Sequence, residues 1–297
     1  MTLDPLWLRA TVSRALDEDL GSDPGRDVTT QATVSPHDRG TAHLVARASG
    51  VVAGLVVVPE VVAQVADRFG LSPVQVDARV DDGATVQPGT VLAVLSGPVQ
   101  VLLIAERTLL NLLSRASGVA THTRRWADAL AGTSAQVLDT RKTTPGLRAL
   151  EKYAVRCGGG TNKRMGLYDV AMIKDNHVVA AGSVAAAVRA LRDAFPDVPV
   201  EVEAETLEQA MDALDAGARY LLLDNMPLGL LQQVVTAVRA REPDLGRVEL
   251  EATGNLSLDR VAEVAATGVD YLSVGALTHS SPTLDVALDL LPHRIPA

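Results

Sequence analysis

The sequence predicts an α/β protein whose larger part is a barrel of parallel strands and helices. After Gly132, short apolar runs that close on a polar or charged residue alternate with helical stretches, at 135–139, 170–174, 198–203, 219–224, 248–251 and 270–274. The first five runs end at Asp139, Lys174, Glu203, Asp224 and Glu251, which follow one another at intervals of 21 to 35 residues. That is the cadence of repeated strand-helix units. Hydrophobic residues make up 47% of the 297 residues but aromatics only 3%, so Ala, Val and Leu must pack the interior, which suits buried strands covered by helices. An open doubly wound sheet is the rival architecture; six similar units with no GxGxxG after a strand favour the barrel. In either arrangement Asp139, Arg141, Lys174, Glu203, Asp224 and Glu251 converge at the carboxyl ends of the strands.

The part before Gly132 reads differently. Leu6 to Leu20 carries apolar residues at helical spacing, and Gly21 to Thr30 breaks it with Gly, Pro and Asp. Thr41 to Val58 is rich in small and β-branched residues, and Pro59 to Phe69 reads as a helix stopped by Gly70. Between Val80 and Pro98 the turn-strand-turn rhythm is similar to the hammerhead of biotinyl and lipoyl carriers. No lysine occurs between Val51 and Val101, so nothing there can be acylated, and the segment is read as scaffold. Gln100 to Leu130 is a long helical stretch, expected to be interrupted near Gly118 and to join two domains.

A net charge of −9 and a pI near 5.1 argue against a nucleic-acid or anionic-lipid surface. From Asp139 to His177, however, eight Lys or Arg face four acids, a formal +4. A cationic site for a small polyanion is the natural reading. The single cysteine, Cys157, forms no intrachain disulfide, no Cys/His spacing suits zinc, and no apolar run approaches a membrane span, so a soluble cytoplasmic protein is expected.

Thr140-Arg141-Lys142-Thr143 follows a strand and presents two adjacent cations beside hydroxyls, either an anion site or a plain basic loop. Gly158-Gly159-Gly160 leads at once to Lys163-Arg164, and its position between two strand ends that carry cations favours an anion-binding role. Lys174 ends an apolar run, where desolvation calls for an anionic partner; His177 nearby is as well explained by structure as by acid-base work. Glu203 and Asp224 each close a strand, and two such carboxylates can hold Mg2+ against pyrophosphate oxygens or else neutralise Lys174 and Arg141. The late pair Thr253-Gly254-Asn255 and Gly275-Ala276 occupies the place where barrels often bind phosphate.

Taken in order, these strings resemble the quinolinate phosphoribosyltransferases. The likeness covers nearly the whole chain: Glu18-Asp19-Leu20-Gly21, Asp27-Val28-Thr29-Thr30, Glu106-Arg107-Thr108-Leu109-Leu110-Asn111, Ser117-Gly118-Val119-Ala120-Thr121, the Asp139 and Gly158 strings, Lys174-Asp175-Asn176-His177, Leu223-Asp224-Asn225-Met226 and Val274-Gly275-Ala276. Each motif is modest; their joint order is specific.

The resemblance implies an N-terminal α/β sandwich domain at 1–117, with a contribution from 278–297, and an incomplete TIM-like barrel at 118–277. It implies conversion of quinolinate and 5-phosphoribosyl 1-pyrophosphate to nicotinate mononucleotide, pyrophosphate and carbon dioxide in NAD biosynthesis, with Mg2+. It implies a homodimer in which Arg107 completes the partner's site, and leaves open whether dimers assemble into a hexamer. Arg141, Lys163, Arg164 and Lys174 would surround the quinolinate carboxylates, with Thr140 beside them and Lys142 towards pyrophosphate. Glu203 and Asp224 would lie near ribose and magnesium, and Thr253, Gly254, Asn255, Gly275 and Ala276 around the 5-phosphate. Lys142, Lys174, Glu203 and Asp224 are the expected catalytic set. Two positions depart from the family pattern: Lys163 stands where histidine is usual, and Asn255 where the late loop usually has glycine. They keep two alternatives open, a related phosphoribosyltransferase of the molybdate-transport-associated type that acts on another base, and a non-catalytic anion-binding barrel.

Overall fold

The computed structural model describes residues 2 to 291. In chain order the elements are α1 (Pro5–Leu20), α2 (Val28–Thr33), β1 (Arg39–Ala46), β2 (Gly50–Val51), α3 (Val57–Phe69), β3 (Gln75–Ala78), β4 (Thr85–Val86), β5 (Val91–Pro98), α4 (Val99–Ala129) and β6 (Gln136–Leu138). They continue with α5 (Arg148–Cys157), β7 (Ala171–Ile173), α6 (Asp175–Ala181), α7 (Val184–Ala194), β8 (Val200–Ala204), α8 (Leu207–Asp215), β9 (Tyr220–Asp224), α9 (Leu228–Leu245), β10 (Glu249–Thr253), α10 (Val261–Ala266), β11 (Tyr271–Ser273), α11 (Ala276–His279) and β12 (Val286–Leu290). The described residues form two compact units, one of 2–124, 144–159 and 280–291, the other of 125–143 and 160–279.

The first unit is built on an antiparallel sheet of order β12-β1-β5-β3. Asp4 caps α1 by accepting from the Leu6 amide at 2.8 Å, and Pro5, which has no amide hydrogen to satisfy, opens the helix. The left-handed Gly70 stops α3, as its sequence predicts. α1 packs on α3, and Val12 and Leu16 on the one and Val61 and Val65 on the other are fully buried. The pairing of β12 with β1 brings 286–290 into this sheet; of the predicted contribution from 278–297, residues 292–297 lie outside the described residues.

Two sequence expectations change here. α4 runs unbroken through Gly118 for 31 residues. Glycine is required there for contact, because a Cβ would overlap the Pro282 carbonyl oxygen. Residues 144–159, inside the stretch assigned to the barrel, belong to the first unit. The reason is electrostatic: the Glu151 carboxylate, with no exposed surface, accepts from Arg115 Nε and Nη2 at 3.0 and 2.7 Å and from the Thr144 amide and hydroxyl at 3.0 and 2.7 Å. Gly158 is likewise a packing glycine, since a Cβ would overlap the Ala120 carbonyl oxygen on α4. Cys157 is a free thiol that burial pushes up to about 11, so it stays protonated at neutral pH.

The second unit is a six-stranded parallel sheet of order β6-β11-β10-β9-β8-β7. Each predicted run overlaps one of these strands, although β8 and β10 extend one and two residues past the predicted ends. The two edge strands β6 and β7 are not paired with each other. Instead Thr161 makes a single parallel bridge to Leu138, its amide donating to the Val137 carbonyl at 2.9 Å, and the segment after it follows β6 across the opening. Residues from all six strands or the loops that follow them line one cleft, so the sheet curls into an incomplete barrel with its mouth at the carboxyl ends.

Candidate active site

The cleft at the mouth has a volume of about 790 Å³. Alternation along the strands selects its lining, because residues two apart share a face. Met172 and Lys174 come from β7 and its end, Glu203 from β8, Leu222 and Asp224 from β9, Thr253 from β10 and Ser273 from β11. The loops add Thr140, Arg141 and Lys142 after β6, Lys163 and Arg164 from the bridging segment, Gly254 and Asn255 after β10, and Gly275 and Ala276 after β11. Every predicted site residue except Arg107 lies here. Arg107 belongs to the first unit, on α4, beside a hollow bordered by Asn111, Ser114 and Asp285.

The cations are unequally satisfied. Arg141 Nε is buried without a hydrogen-bond partner. Arg164 donates to the Val170 carbonyl and the Met172 sulfur, both at 3.2 Å, and its pKa is lowered by desolvation and then by the Arg141 charge nearby. Two guanidiniums thus share a partly desolvated corner with a donor to spare, an arrangement that favours an anion with more than one carboxylate. Lys174 forms an ion pair with Glu203, but its side chain is 46% exposed, so the desolvation expected from the sequence is not what demands that partner. The Lys174 amide donates to His177 Nδ1 at 2.9 Å, so His177 braces the start of α6.

The loops after β9, β10 and β11 are held tightly. Asn225 and Asn255 adopt φ of 52° and 46° and Gly254 one of 86°. A Cβ at Gly254 would overlap the Asn225 side-chain oxygen. At Gly275 a Cβ would come within 3.0 Å of the Lys142 side chain and 3.1 Å of His279 Nε2. The Thr278 hydroxyl donates to the Lys142 carbonyl at 2.7 Å, which ties the two loops together.

Two strand-end residues expected at the mouth lie elsewhere. Asp139 has no exposed surface; it accepts from the Lys163 amide at 2.9 Å and the Asn162 side chain at 2.6 Å, and so anchors the bridging segment. Glu251 is also fully buried, because β10 runs two residues further to Thr253 and leaves Glu251 one pleat below. Lys163 does line the cleft, but its ammonium lies 2.6 Å from Glu251 and 2.9 Å from Glu201, both without exposed surface. Tyr220 donates to Glu251 at 2.6 Å. Glu201 and Tyr220 were missed in the sequence; the signal was the Glu201-Val202-Glu203 alternation, which puts both glutamates on one face of β8.

A model of the quinolinate phosphoribosyl transferase C-terminal domain matches residues 119–289, and one of the N-terminal domain matches residues 27–117. The chain belongs to the quinolinate phosphoribosyltransferase family. Among similar proteins, the nicotinate-nucleotide pyrophosphorylase (carboxylating) of Mycobacterium leprae is 50% identical over 95% of this chain and 96% of its own. A probable enzyme of the same name from Bacillus subtilis is 38% identical over 97% of this chain and 95% of its own. The solved nicotinate-nucleotide pyrophosphorylase of Francisella tularensis superposes with a TM-score of 0.89 at 33% identity, covering 98% of both chains. NadC from Streptococcus pyogenes gives 0.87 at 37% identity, covering 98% of this chain and all of that one. Within the quinolinate phosphoribosyltransferase family, then, this chain is one whose Lys163 is paired below the cleft and whose Asn255 holds a left-handed turn. No helix among the described residues is long and apolar enough to cross a membrane.

Proposed function

We propose that the chain transfers the phosphoribosyl group of 5-phosphoribosyl 1-pyrophosphate to the ring nitrogen of quinolinate and releases carbon dioxide, yielding nicotinate mononucleotide and pyrophosphate in cytoplasmic NAD biosynthesis. The observation that carries this reading is the Arg141 and Arg164 corner, with its unpartnered buried donor. A pyridine with two adjacent carboxylates supplies two anionic groups on one rigid ring; a monocarboxylate leaves one guanidinium unmatched, which is costly in a desolvated site.

The residues divide the work along the cleft. Arg141 and Arg164 orient the base, and Thr253 to Asn255 with Gly275 and Ala276 receive the 5-phosphate. That leaves the anomeric carbon over the middle of the sheet, where Glu203 and Asp224 stabilise the oxocarbenium-like centre. Lys174 faces the carboxylates of the base, and Lys142 offsets the charge of departing pyrophosphate. The positive charge on the alkylated ring nitrogen then stabilises the electron pair left on the adjacent ring carbon as its carboxylate departs as carbon dioxide, and that carbon takes up a proton from water, so no further cofactor is needed. Among the described residues no cluster of three or more His, Cys, Asp or Glu forms a metal cage, but Glu203 and Asp224 fit Mg2+, which needs only one or two carboxylates when substrate phosphates and water complete its shell. There it would neutralise pyrophosphate. In this reading the protein is a homodimer, and Arg107 reaches the partner's cleft.

The test is carbon dioxide release by the purified protein given quinolinate, 5-phosphoribosyl 1-pyrophosphate and Mg2+, with nicotinate as the comparison base. Release dependent on all three is expected. Turnover of nicotinate at a comparable rate, or none with quinolinate, overturns the assignment.

A further inference from the structure

Arg164 takes its place from the residues on either side of it. The Lys163 amide donates to Asp139 Oδ1 at 2.9 Å and the Met165 amide to Asp169 Oδ2 at 2.5 Å, so the residue before Arg164 and the residue after it are each held by a carboxylate. The two clamps differ. Asp139 follows β6 directly and ties the chain to the barrel. Asp169 belongs to the loop itself: its Oδ1 accepts from the Gly166 and Val170 amides, both at 3.1 Å, so the turn from Met165 to Val170 is wound around one side chain. Against the desolvation that burial imposes, these amides hold the Asp169 carboxyl below the usual carboxylate range. Packing contributes little to the shape of the turn, since Leu167 and Tyr168 at its tip are exposed.

The turn in its place carries the guanidinium. Arg164 Nη1 donates to the carbonyl of Val170, whose amide Asp169 holds, and Nη2 to the Met172 sulfur two residues on. Restraint is needed there, because Arg141 disfavours a second cation so near it in a desolvated corner. We infer that Asp169 is a positioning residue for base recognition: by organising the 165–170 turn it preorganises Arg164, so that affinity for the base depends on it and affinity for the phosphoribosyl donor does not. This rests on the reading of the cleft as a quinolinate site. Asp169 does not line the cleft, so its effect passes through Arg164. An arginine loses much rotamer freedom when it grips a ligand, and one already fixed at both neighbours loses that freedom in folding rather than in binding.

Asp169→Asn leaves one acceptor oxygen where two are used. The KM for quinolinate is expected to rise several-fold, with kcat changing much less and the KM for 5-phosphoribosyl 1-pyrophosphate unchanged. A double-mutant cycle separates positioning from general loosening. In Arg164→Ala, which lacks the group to be positioned, Asp169→Asn must raise the quinolinate dissociation constant, measured by titration calorimetry, no further. Equal rises in both KM values, or an undiminished effect in the Arg164→Ala background, overturn the inference. A second measurement needs neither variant nor turnover. In the parent protein without substrate, hydrogen exchange of the Met165 and Gly166 amides must be slow in spite of the exposed tip, and quinolinate must leave it nearly unchanged. Fast exchange that only quinolinate suppresses would mean that the substrate assembles the corner, and overturns the inference. Slow exchange in a protein that binds no quinolinate leaves the Asp169 clamp standing and brings down the quinolinate reading alone.

Discussion

The Asn255 side-chain amide donates to Asn225 Oδ1 at 3.2 Å, and Asn225 Nδ2 in turn donates to Asp224 Oδ2 at 2.9 Å. A loop residue in the place usually held by glycine is thus connected, through one amide, to a carboxylate expected to face the ribose. Asn255 keeps the left-handed backbone that the loop needs, which asparagine tolerates better than other non-glycine residues.

Asn255→Gly preserves that backbone and removes only the donor. Its kcat is expected to fall several-fold with little change in melting temperature. Asn255→Ala removes the donor and adds strain of about 1 kcal/mol, so it should also melt earlier. Equal melting temperatures for the two variants would show that the turn carries no strain.

Arg141→Lys keeps a positive charge but loses the planar fork and the buried Nε donor. KM for quinolinate should rise at least about tenfold, which corresponds to ~1.4 kcal/mol, within the range for a hydrogen bond to a charged group. Steady-state kinetics with the phosphoribosyl donor saturating would measure it; an unchanged KM would place the base elsewhere.

For Glu203 and Asp224 the informative variable is metal concentration. Asp224→Asn should raise the Mg2+ needed for half-maximal rate, since a neutral amide is a weaker ligand than a carboxylate. Glu203→Gln has a second effect, because it also leaves Lys174 without its ion-pair partner. A Mg2+ titration that gives the parent midpoint in both variants would remove the metal role from these residues.

Glu201 also makes a prediction about stability. Burial and then the Glu251 charge make its carboxyl titrate higher in the folded chain than in the unfolded one, so between about 4.5 and about 8 the folded state binds the extra proton. The resulting contribution is fully present below the unfolded pKa and is lost as pH rises through the folded one. The melting temperature of the parent relative to Glu201→Gln should therefore decline between pH 5 and 8, roughly the window set by those two values, and level off above it. A constant difference across that window would mean that Glu201 is ionised in the fold.

Gly118→Ala should destabilise the first unit by roughly 1–3 kcal/mol, the usual cost of forcing an extra group into a packed contact. The added methyl meets only backbone, that of Pro282 and Thr283. Thermal unfolding would measure it.

Much of the second unit was legible because its signals are local. A parallel strand buried on both faces appears as an apolar run, and the polar residue that closes it marks the mouth, as at Lys174, Glu203 and Asp224. Glu251 misled because β10 continues through Ala252 to Thr253, and a one-pleat difference in strand length moves a carboxylate from the mouth into the interior. Gly118 and Gly158 misled for another reason: what demands glycine there is a backbone oxygen distant in sequence or on another helix, which no local pattern records. Lys163 was correctly placed in the cleft. The direction of its ammonium was not legible, because it depends on two glutamates contributed by different strands.

The antiparallel sheet of the first unit takes its outer strand, Val286–Leu290, from beyond every residue of the second unit. During synthesis the free edge of Arg39–Ala46 therefore waits, unpaired and open to pairing with another chain, until the parallel sheet has been made in full. The order of translation thus lets the catalytic unit assemble first and leaves the sandwich exposed longest, so its vulnerability to aggregation is set by when residues 286–290 arrive.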